Sequence, residues 1–392
     1  MRAMPIRFAQ RIHGLVQSDI RRMSRECERV GGINLGQGIC DQPIEPAIRE
    51  AVTRAISAGH SQYSPLDGID RLRGRIAEKA AAYNGILCDR DTQVVVTVGS
   101  TGAFAVACMA LLEPGDEVIV FSPFYAYHVN LIKLCGALPV YVRLDPPAWR
   151  LNEPALEAAF TERTRLILVN TPCNPCGKVF SKEELRLLGD LCRRHGVLAL
   201  TDEIYEYILF DGRRHVSLAS LPGMADHTIT ISGFSKTYSM TGWRLGYAIA
   251  PAEIARRMGL LNDLLYICAP TPLQHAVLEA FDLPGSYYED LKLSYQSKRD
   301  LTVAACRSAG MEPFVPEGAY YLLADVSGLG CSDDKEAADL LLARSGVATV
   351  PGGAFYEDPE EGRMQVRLCF AKKMPDLEEA CRRIRGHSAS AS

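Results

Sequence analysis

The stretch Ser232-Gly-Phe-Ser-Lys236-Thr-Tyr-Ser-Met-Thr-Gly242-Trp-Arg244-Leu-Gly246 decides how the rest of the chain is interpreted. It places one lysine, Lys236, directly after an apolar run and among small residues. A lysine that is partly removed from water loses its proton more readily, and its free amine can form a Schiff base with a carbonyl compound. Arg244 follows eight residues later, and its guanidinium is suited to a phosphate. A lone lysine after a strand is usually just an exposed charge, but the whole string favours the chemical interpretation here.

Short apolar runs alternate with amphipathic segments before and through this stretch. Seven runs are mainly apolar and do not alternate with polar residues: 94–98, 118–121, 140–144, 166–170, 197–201, 228–232 and 245–250. Continuous apolar runs are typical of strands that are buried on both faces of a sheet. Alternation with helices indicates parallel pairing. We therefore predict an α/β fold with a large domain, whose mostly parallel, seven-stranded sheet is covered by helices.

The two ends of the chain have a different pattern from the middle. The seven runs fit one large domain over residues 46–285. Residues 1–45 contain an amphipathic stretch and then a Gly-rich strand-like segment, and residues 286–392 begin with a long helical pattern. We predict that both ends pack together as a smaller α+β domain. Ligand sites are common in the cleft between two domains, so we expect the site there.

Composition limits the class of function. Lys plus Arg is 43 and Asp plus Glu is 47, so the net charge of −4 argues against a general nucleic-acid binder. No apolar run reaches the ~18 residues of a membrane span, and residues 1–14 lack the apolar core of a secretory signal. The 13 cysteines are odd in number and scattered, which fits free thiols in a reducing compartment. We expect a cytoplasmic protein that binds small molecules.

A Gly-rich turn follows the first of the seven runs. The sequence Val98-Gly-Ser-Thr-Gly-Ala103 leads from a strand-like run into a helical one, and free backbone N–H groups at such a turn form an anion site. Ser100 and Thr101 add hydroxyl groups. Many turns of this kind are no more than tight turns. Because the pattern is not G-x-G-x-x-G, a dinucleotide site has little support.

Two more polar segments follow strand-like runs. Asp202 ends one run and is either a partner for a cationic nitrogen or a helix cap. Asn174 lies in a turn whose two prolines and glycine hold it rigidly. Cys173 and Cys176 in the same turn spell C-x-x-C. Zinc needs two further ligands, and no second close Cys/His pair is found, so we predict no metal.

In this order and spacing, these segments resemble the fold type I aminotransferases of class I and II, which use pyridoxal 5′-phosphate. The resemblance runs from Asn34-Leu-Gly-Gln-Gly38 to Arg367-Leu-Cys-Phe-Ala371. It implies transfer of an amino group from an L-amino acid to a 2-oxo acid in a ping-pong cycle of pyridoxal and pyridoxamine forms. It also implies a homodimer with shared active sites.

The resemblance assigns roles to single residues. Lys236 binds the cofactor as a Schiff base, Asp202 pairs with the pyridinium nitrogen, and Tyr205 and Asn174 bond the phenolic oxygen. The phosphate is bound by Ser100, Thr101, Arg244 and the partner subunit's Tyr63. Tyr125 stacks on the ring, with Phe124 as a rival. The substrate carboxylate is bound by Arg367, with Asn174 and the backbone N–H of Gly38 beside it.

One position departs from the family pattern. Many relatives carry Ser or Thr three residues before the lysine, where its hydroxyl binds phosphate, and this chain has Gly233. Ser232 and Ser235 are both candidates to replace that hydroxyl. We assign Ser235 to the cofactor site and leave the choice open.

The substrate is weakly encoded. Leu35-Gly-Gln-Gly38-Ile-Cys-Asp41 with Pro43 resembles the branch of kynurenine, glutamine–phenylpyruvate and methionine aminotransferases, which implies a large neutral or aromatic donor. Aspartate is the alternative donor, and a carbon–sulfur lyase is an alternative reaction on the same fold. The effector domain of a gene regulator is a third possibility. It would need a DNA-binding domain, and the residues before the large domain show no basic helix-turn-helix pattern.

Overall fold

The computed structural model describes residues 6–12 and 19–386. Within them the strands are β1 (Ile33–Asn34), β2 (Val94–Val98), β3 (Glu117–Ser122), β4 (Leu138–Asp145), β5 (Arg150–Leu151), β6 (Thr164–Asn170), β7 (Leu198–Asp202), β8 (Thr228–Gly233), β9 (Leu245–Ile249), β10 (Glu312–Pro313), β11 (Tyr321–Asp325), β12 (Val347–Ala348), β13 (Val350–Pro351) and β14 (Gln365–Cys369). The helices are α1 (Asp19–Arg29), α2 (Pro46–Ser57), α3 (Asp70–Lys79), α4 (Gly99–Leu111), α5 (Ala126–Leu134), α6 (Glu153–Ala158), α7 (Lys182–His195), α8 (Ala252–Tyr266), α9 (Thr271–Ala276), α10 (Gly285–Ser308), α11 (Asp334–Ser345) and α12 (Met374–Gly386). Part of the predicted non-secretory start, residues 1–5 and 13–14, lies outside the described residues.

The central sheet has the strand order β2-β9-β8-β7-β6-β3-β4-β5. The pairs from β4 through β3, β6 and β7 to β8 are parallel, and β9 runs antiparallel to both β8 and β2. The predicted α/β fold is confirmed, and all seven apolar runs are strands. The short edge strand β5 was not predicted, because two residues carry no periodic pattern.

Both faces of this sheet are buried, which explains why the runs are continuously apolar. In β3, Val118 and Val120 pack in one core with Phe104 of α4. Their neighbour Ile119 faces the opposite core, where it meets Leu188 of α7. Successive side chains of a strand point to opposite faces, so a strand between two helix layers needs apolar residues at every position.

The two chain ends contact each other. β1 pairs in parallel with β12, with Ile33 opposite Val347. Met23 and Cys27 of α1 share a core with Leu341 of α11. A second, antiparallel sheet has the order β10-β11-β14-β13. The division of the chain after residues 45 and 285 stays a prediction.

The parallel strands direct their carboxyl ends to one edge of the sheet. This edge carries the ends of β2, β6, β7 and β8, at Val98, Asn170, Asp202 and Gly233. In open α/β sheets ligands bind beyond such an edge. Within the described ranges, no helix is long and apolar enough to cross a membrane.

Candidate active site

A cavity of about 310 Å³ opens at the carboxyl edge of the central sheet. It is lined from both sheets and from α1 and the segment after β1, so it draws on distant parts of the chain. The lining residues are Ile20, Gln37, Gly38, Ile39, Ser100, Thr101, Phe104, Tyr125, Tyr127, His128, Leu131, Asn170, Asn174, Asp202, Ile204, Tyr205, Ser235, Lys236, Arg244, Tyr321 and Arg367. Every site residue predicted from the sequence is among them except Tyr63.

Lys236 follows β8 and is partly buried. Its Nζ lies 5.5 Å from the ring centroid of Tyr320 and 6.0 Å from that of Tyr205. Burial lowers the pKa of this amine, and the Arg244 guanidinium lowers it as well, whereas Asp202 raises it. The net lowering increases the neutral, nucleophilic fraction of the amine.

Asp202 ends β7 and is buried beside an imidazole. Its Oδ2 lies 2.9 Å from Nε2 of His128, and its Oδ1 accepts a hydrogen bond of 3.2 Å from the backbone N–H of Ile204. The His128 ring stacks on Phe104 at 4.4 Å between centroids. The carboxylate is therefore held in one orientation at the cavity wall.

The start of α4 and Arg244 form one end of the cavity, which we call the anion end. Ser100 and Thr101 lie in the first turn of this helix, which begins at Gly99 directly after β2. A Cβ on Gly99 would lie 2.4 Å from Nη2 of Arg244, and a Cβ on Gly246 would lie 2.4 Å from the backbone N of Ser100. Glycine at both positions lets the guanidinium lie against the helix N-terminus. Free N–H groups, the helix dipole and a guanidinium together favour a dianion.

Arg367 of β14 lies in the part of the lining that the smaller sheet contributes. It is 1% exposed, its Nη1 donates to Oδ1 of Asn174 at 2.9 Å, and its Nη2 donates to the Gly36 carbonyl at 2.6 Å. Tyr321 and Phe355 cover the guanidinium with their rings, at 4.3 and 4.7 Å from the centroids. Within residues 6–12 and 19–386, no carboxylate lies within 4.0 Å of it, and its buried Nε has no hydrogen-bond partner. A buried cation without a counter-charge favours an anionic ligand.

Tyr205 packs against Tyr320 and Tyr321, at the start of β11. Its ring meets the rings of Tyr320 and Tyr321 edge-on, at 5.1 and 6.0 Å. Burial raises the pKa of Tyr205 well above its ordinary value, and the neighbouring Tyr321 and Asp202 raise it further. The phenol stays protonated at neutral pH and can donate a hydrogen bond.

Tyr125, not Phe124, faces the cavity. Tyr125 lines it and lies edge-on to the His128 ring at 5.2 Å. Phe124 is buried in the core and stacks on Tyr141 at 5.2 Å. The geometry therefore favours Tyr125 for the stacking role.

The two serines near Gly233 also differ in direction. Ser232 is buried, and its hydroxyl donates to Oε1 of Glu206 at 2.6 Å, outside the cavity. Ser235 lines the cavity near Arg244. A Cβ on Gly233 would lie 2.9 Å from Cα of Gly246, so this backbone leaves little room for a side chain there.

Tyr63 is the one predicted site residue that lies outside the cavity of its own chain. Its side chain is 82% exposed, on the loop between α2 and α3. Gly38, by contrast, is tightly enclosed, because a Cβ there would lie 1.7 Å from the hydroxyl oxygen of Tyr321.

Residues 30–384 match the family described as "Aminotransferase class I and II". The chain belongs to this family. Members use pyridoxal 5′-phosphate, and the protein is an enzyme that transfers amino groups. The aminotransferase therefore acts on amino acids and 2-oxo acids.

Relatives and solved structures match this aminotransferase over nearly its whole length. It is 33% identical to kynurenine–oxoglutarate transaminase 3 of Rattus norvegicus, over 96% of this chain and 90% of the relative. It is 35% identical to the methionine aminotransferase of Escherichia coli K12, over 93% of this chain and 94% of the relative. The structure of N-succinyldiaminopimelate aminotransferase from Mycobacterium tuberculosis superposes with a TM-score of 0.94 at 35% identity, covering 97% of this chain and 100% of that one.

The cavity of this aminotransferase fits pyridoxal phosphate. It offers an anion end at α4, an amine of lowered pKa on Lys236 and a buried carboxylate on Asp202. The glycines at 99 and 246 leave the anion end open to Arg244, which any side chain there would obstruct.

His128 and Tyr321 also line the cavity, and sequence reasoning missed both. His128 lies three residues after Tyr125 at the start of α5, so helical periodicity places both on one face. The sequence signal that could have identified His128 is a histidine on a helix face that is otherwise apolar. Tyr321 lies inside an apolar strand and gave no signal distinct from core packing.

Proposed function

We propose that this aminotransferase takes its amino group from L-amino acids with large neutral or aromatic side chains and passes it to a 2-oxo acid. The observation that carries the proposal is the buried guanidinium of Arg367, which has no carboxylate partner in the described chain and lines the same cavity as Lys236. A fork of N–H donors matches an α-carboxylate in two parallel hydrogen bonds.

Arg367, Asn174 and Gly38 are the proposed substrate-carboxylate site. Asn174 holds Nη1 of Arg367 through its Oδ1, so the guanidinium has a fixed plane. Gly38 would add a backbone N–H at the cavity wall, and the absence of a side chain there leaves room for the Tyr321 hydroxyl. A bound carboxylate would fix the α-carbon relative to Lys236.

Pyridoxal phosphate, when bound, supplies a sink for the electrons released at the substrate α-carbon. Nζ of Lys236 would hold the cofactor covalently until the substrate amine displaces it, and the freed amine would then move the α-proton. The Asp202 carboxylate would pair with the ring nitrogen and keep it protonated. Tyr205 and Asn174 donate hydrogen bonds to the phenolic oxygen.

The remaining proposed roles concern orientation. The phosphate is held by Ser100, Thr101, Ser235, Arg244 and the partner subunit's Tyr63. The Tyr125 ring stacks on the cofactor ring. These contacts align the cofactor without taking part in proton transfer.

An apolar part of the cavity supports the choice of substrate. Ile20, Ile39, Tyr127 and Leu131 line it, and they can cover a large side chain. Among the lining residues within the described ranges, the lysines and arginines are Lys236, Arg244 and Arg367, and all three have other proposed tasks. A second substrate carboxylate, as in aspartate, would find no further such cation there.

A donor panel tests the proposal. Purified holoenzyme is given phenylalanine, kynurenine, methionine, glutamine or aspartate, each with and without a 2-oxo acid. We expect kcat/KM to be highest for large neutral donors, with more than one equivalent of product per active site only when the 2-oxo acid is present. The highest kcat/KM for aspartate would contradict the substrate class. An S-substituted cysteine is added to the panel without a 2-oxo acid, and continuous release of pyruvate and ammonia from it would indicate the carbon–sulfur lyase instead.

We also propose a symmetric homodimer in the cytoplasm. Tyr63 and, in α8, Leu264 are 82% and 77% exposed, so both side chains are free to contact a second copy of the chain. The Tyr266 ring of the same helix lies beside Gly102 near the anion end, so this apolar surface adjoins the cavity. All 13 cysteines are free thiols, in keeping with a reducing compartment.

A further inference from the structure

The five residues from Asp202 to Glu206 divide between two sides of the protein. Asp202 and Tyr205 line the cavity. Glu203 and Glu206 are fully buried away from it, at 0% and 2% exposure. The segment that carries two proposed cofactor contacts is therefore anchored from behind by two carboxylates.

Glu206 has a partner on each carboxylate oxygen. Its Oε1 accepts from the hydroxyl of Ser232 and lies by Nζ of Lys79, both at 2.6 Å, and its Oε2 accepts from Nδ2 of Asn84 at 2.7 Å. Lys79 also donates to Oδ1 of Asn84 at 2.8 Å and to the hydroxyl of Tyr247 at 3.2 Å. These contacts tie the Tyr205 segment to α3 and to the central sheet.

Glu203 is held in the same way by a separate set of groups. Its Oε1 accepts from the Thr201 hydroxyl at 2.9 Å, and its Oε2 lies 2.6 Å from Nε2 of His215. Glu203, Glu206 and His215 lie close enough to one another to suggest a metal site. Lys79 already neutralises Glu206, and the carboxylate oxygens are hydrogen-bonded within the protein, so the cluster does not need a metal.

A buried ion pair is weak evidence for stability, because the cost of removing both charges from water offsets their attraction. Apolar side chains of similar size would hold these helices and strands together as well. What the network adds is direction, since each hydrogen bond accepts only a narrow range of angles. Ser232 lies four residues before Lys236, so the Glu206–Ser232 bond joins the segment of Tyr205 to the strand that leads to Lys236.

We propose that Glu206 is a positioning residue for amino-group transfer. Through its hydrogen bond to Ser232, Glu206 fixes the position of the Tyr205 hydroxyl relative to Lys236. This inference rests on the proposed role of Tyr205. A hydrogen bond from Tyr205 stabilises negative charge on the phenolic oxygen of the cofactor. Displacement of the Tyr205 hydroxyl would therefore raise the pKa of the bound cofactor.

The test is a pH titration of the absorbance of the bound cofactor in the holoenzyme. Four proteins are compared with the wild type: Ser232→Ala, Tyr205→Phe, the double variant, and Ser345→Ala. Ser345 is a matched control, because its buried hydroxyl bonds only within and next to α11. Melting temperatures measured alongside report any loss of stability.

We expect Ser232→Ala to raise the midpoint of the cofactor titration by about 0.5 pH units. In free energy this corresponds to a fraction of the contribution of one hydrogen bond. Ser345→Ala should leave the midpoint unchanged. In the Tyr205→Phe background, Ser232→Ala should add no shift, because its effect passes through the missing hydroxyl. An unshifted Ser232→Ala midpoint, or an equal shift in both backgrounds, would overturn the inference.

Two further results keep the proposals apart. If Tyr205→Phe alone leaves the midpoint unchanged, the proposed role of Tyr205 is wrong, and the inference fails with it. Should Ser232→Ala not fold, Glu206→Gln takes its place in the same cycle, with Glu117→Gln as the control. Glu117 is also a buried carboxylate, but it lies at the amino end of β3, away from the cavity.

Discussion

The carboxylate of Asp202 and the imidazole of His128 lie 2.9 Å apart, and both are buried at the wall of the cavity. The two residues are 74 positions apart in the sequence and come from β7 and α5. The fold thus gives the proposed partner of the pyridinium nitrogen a fixed orientation before the cofactor arrives.

The effects of Asp202→Ala and Tyr205→Phe should differ in size. Loss of a preorganised charge is expected to cost about 3–4 kcal/mol in the transition state, a fall of about 10²–10³ in kcat. Loss of the Tyr205 hydroxyl removes one hydrogen bond, about 1–2 kcal/mol. Steady-state kinetics with one donor measures both, with cofactor content checked by absorbance. A larger loss in Tyr205→Phe would mean that Asp202 is not the main support of the ring.

Lys236 should carry the cofactor covalently. Borohydride reduction of the holoenzyme followed by peptide mapping is expected to recover the label on the peptide that contains Lys236. Lys236→Ala should still bind cofactor through the anion end, but without label and without multiple turnover. Lys79 serves as an internal control. Its side chain is also largely enclosed, but it is paired with Glu206, so its peptide should carry no label. Label on any other lysine would contradict the assignment.

The pH dependence of cofactor capture follows from the pKa of Lys236. Burial lowers this pKa below the 10.5 of an ordinary lysine, so the amine of the apoenzyme is neutral at lower pH than a free one. The rate of covalent capture should rise with pH, with a midpoint below pH 10.5. The Asp202 charge raises the pKa, so Asp202→Asn should move the midpoint to lower pH. Stopped-flow absorbance measures the rate, and a shift in the opposite direction would contradict the electrostatic account.

Arg367→Lys should weaken the binding of every amino donor. An ammonium cannot make the two parallel hydrogen bonds of a guanidinium, so KM should rise by about tenfold or more while kcat changes less. The comparison uses one aromatic and one aliphatic donor. If only one of them is affected, Arg367 contacts the side chain and not the shared carboxylate.

Mixed dimers test the shared site. When Lys236→Ala and Tyr63→Ala chains exchange, one site of each heterodimer has both defects and the other has neither. Activity should therefore exceed that of both parents. Lys236→Ala mixed with Asp202→Ala is the control, because both residues lie in the same cavity and every site keeps one defect. If verified Lys236→Ala/Tyr63→Ala heterodimers show only the parental average, Tyr63 acts within its own chain.

The strands of the central sheet could be predicted because most of their positions are buried and apolar on both faces, as the packing of Val118 and Ile119 on opposite cores illustrates. The edge strand β5 and the hydrogen bond between His128 and Asp202 could not. An edge strand of two residues has no periodicity. The His128–Asp202 contact depends on where α5 comes to lie over the end of β7, and residue spacing does not encode that.

The cavity residues were found for a different reason. Asp202, Asn174 and Lys236 follow strands that end at one edge, so parallel topology alone brings them together. Sequence alone did not separate Ser232 from Ser235, because it does not show which hydroxyl is already bonded elsewhere. In the structure, Glu206 accepts a hydrogen bond from the Ser232 hydroxyl. Their individual roles stay predictions.

The buried guanidinium of Arg367 sets folding against activity. Among residues 6–12 and 19–386, its charge meets two neutral oxygen acceptors and the faces of two rings, and no carboxylate. A flat apolar residue there would be easier to bury, so selection for stability alone would remove the arginine. If Arg367 binds the substrate carboxylate as proposed, each bound amino acid would supply the counter-charge that the free enzyme lacks. Substrate would then stabilise the folded protein in proportion to its concentration.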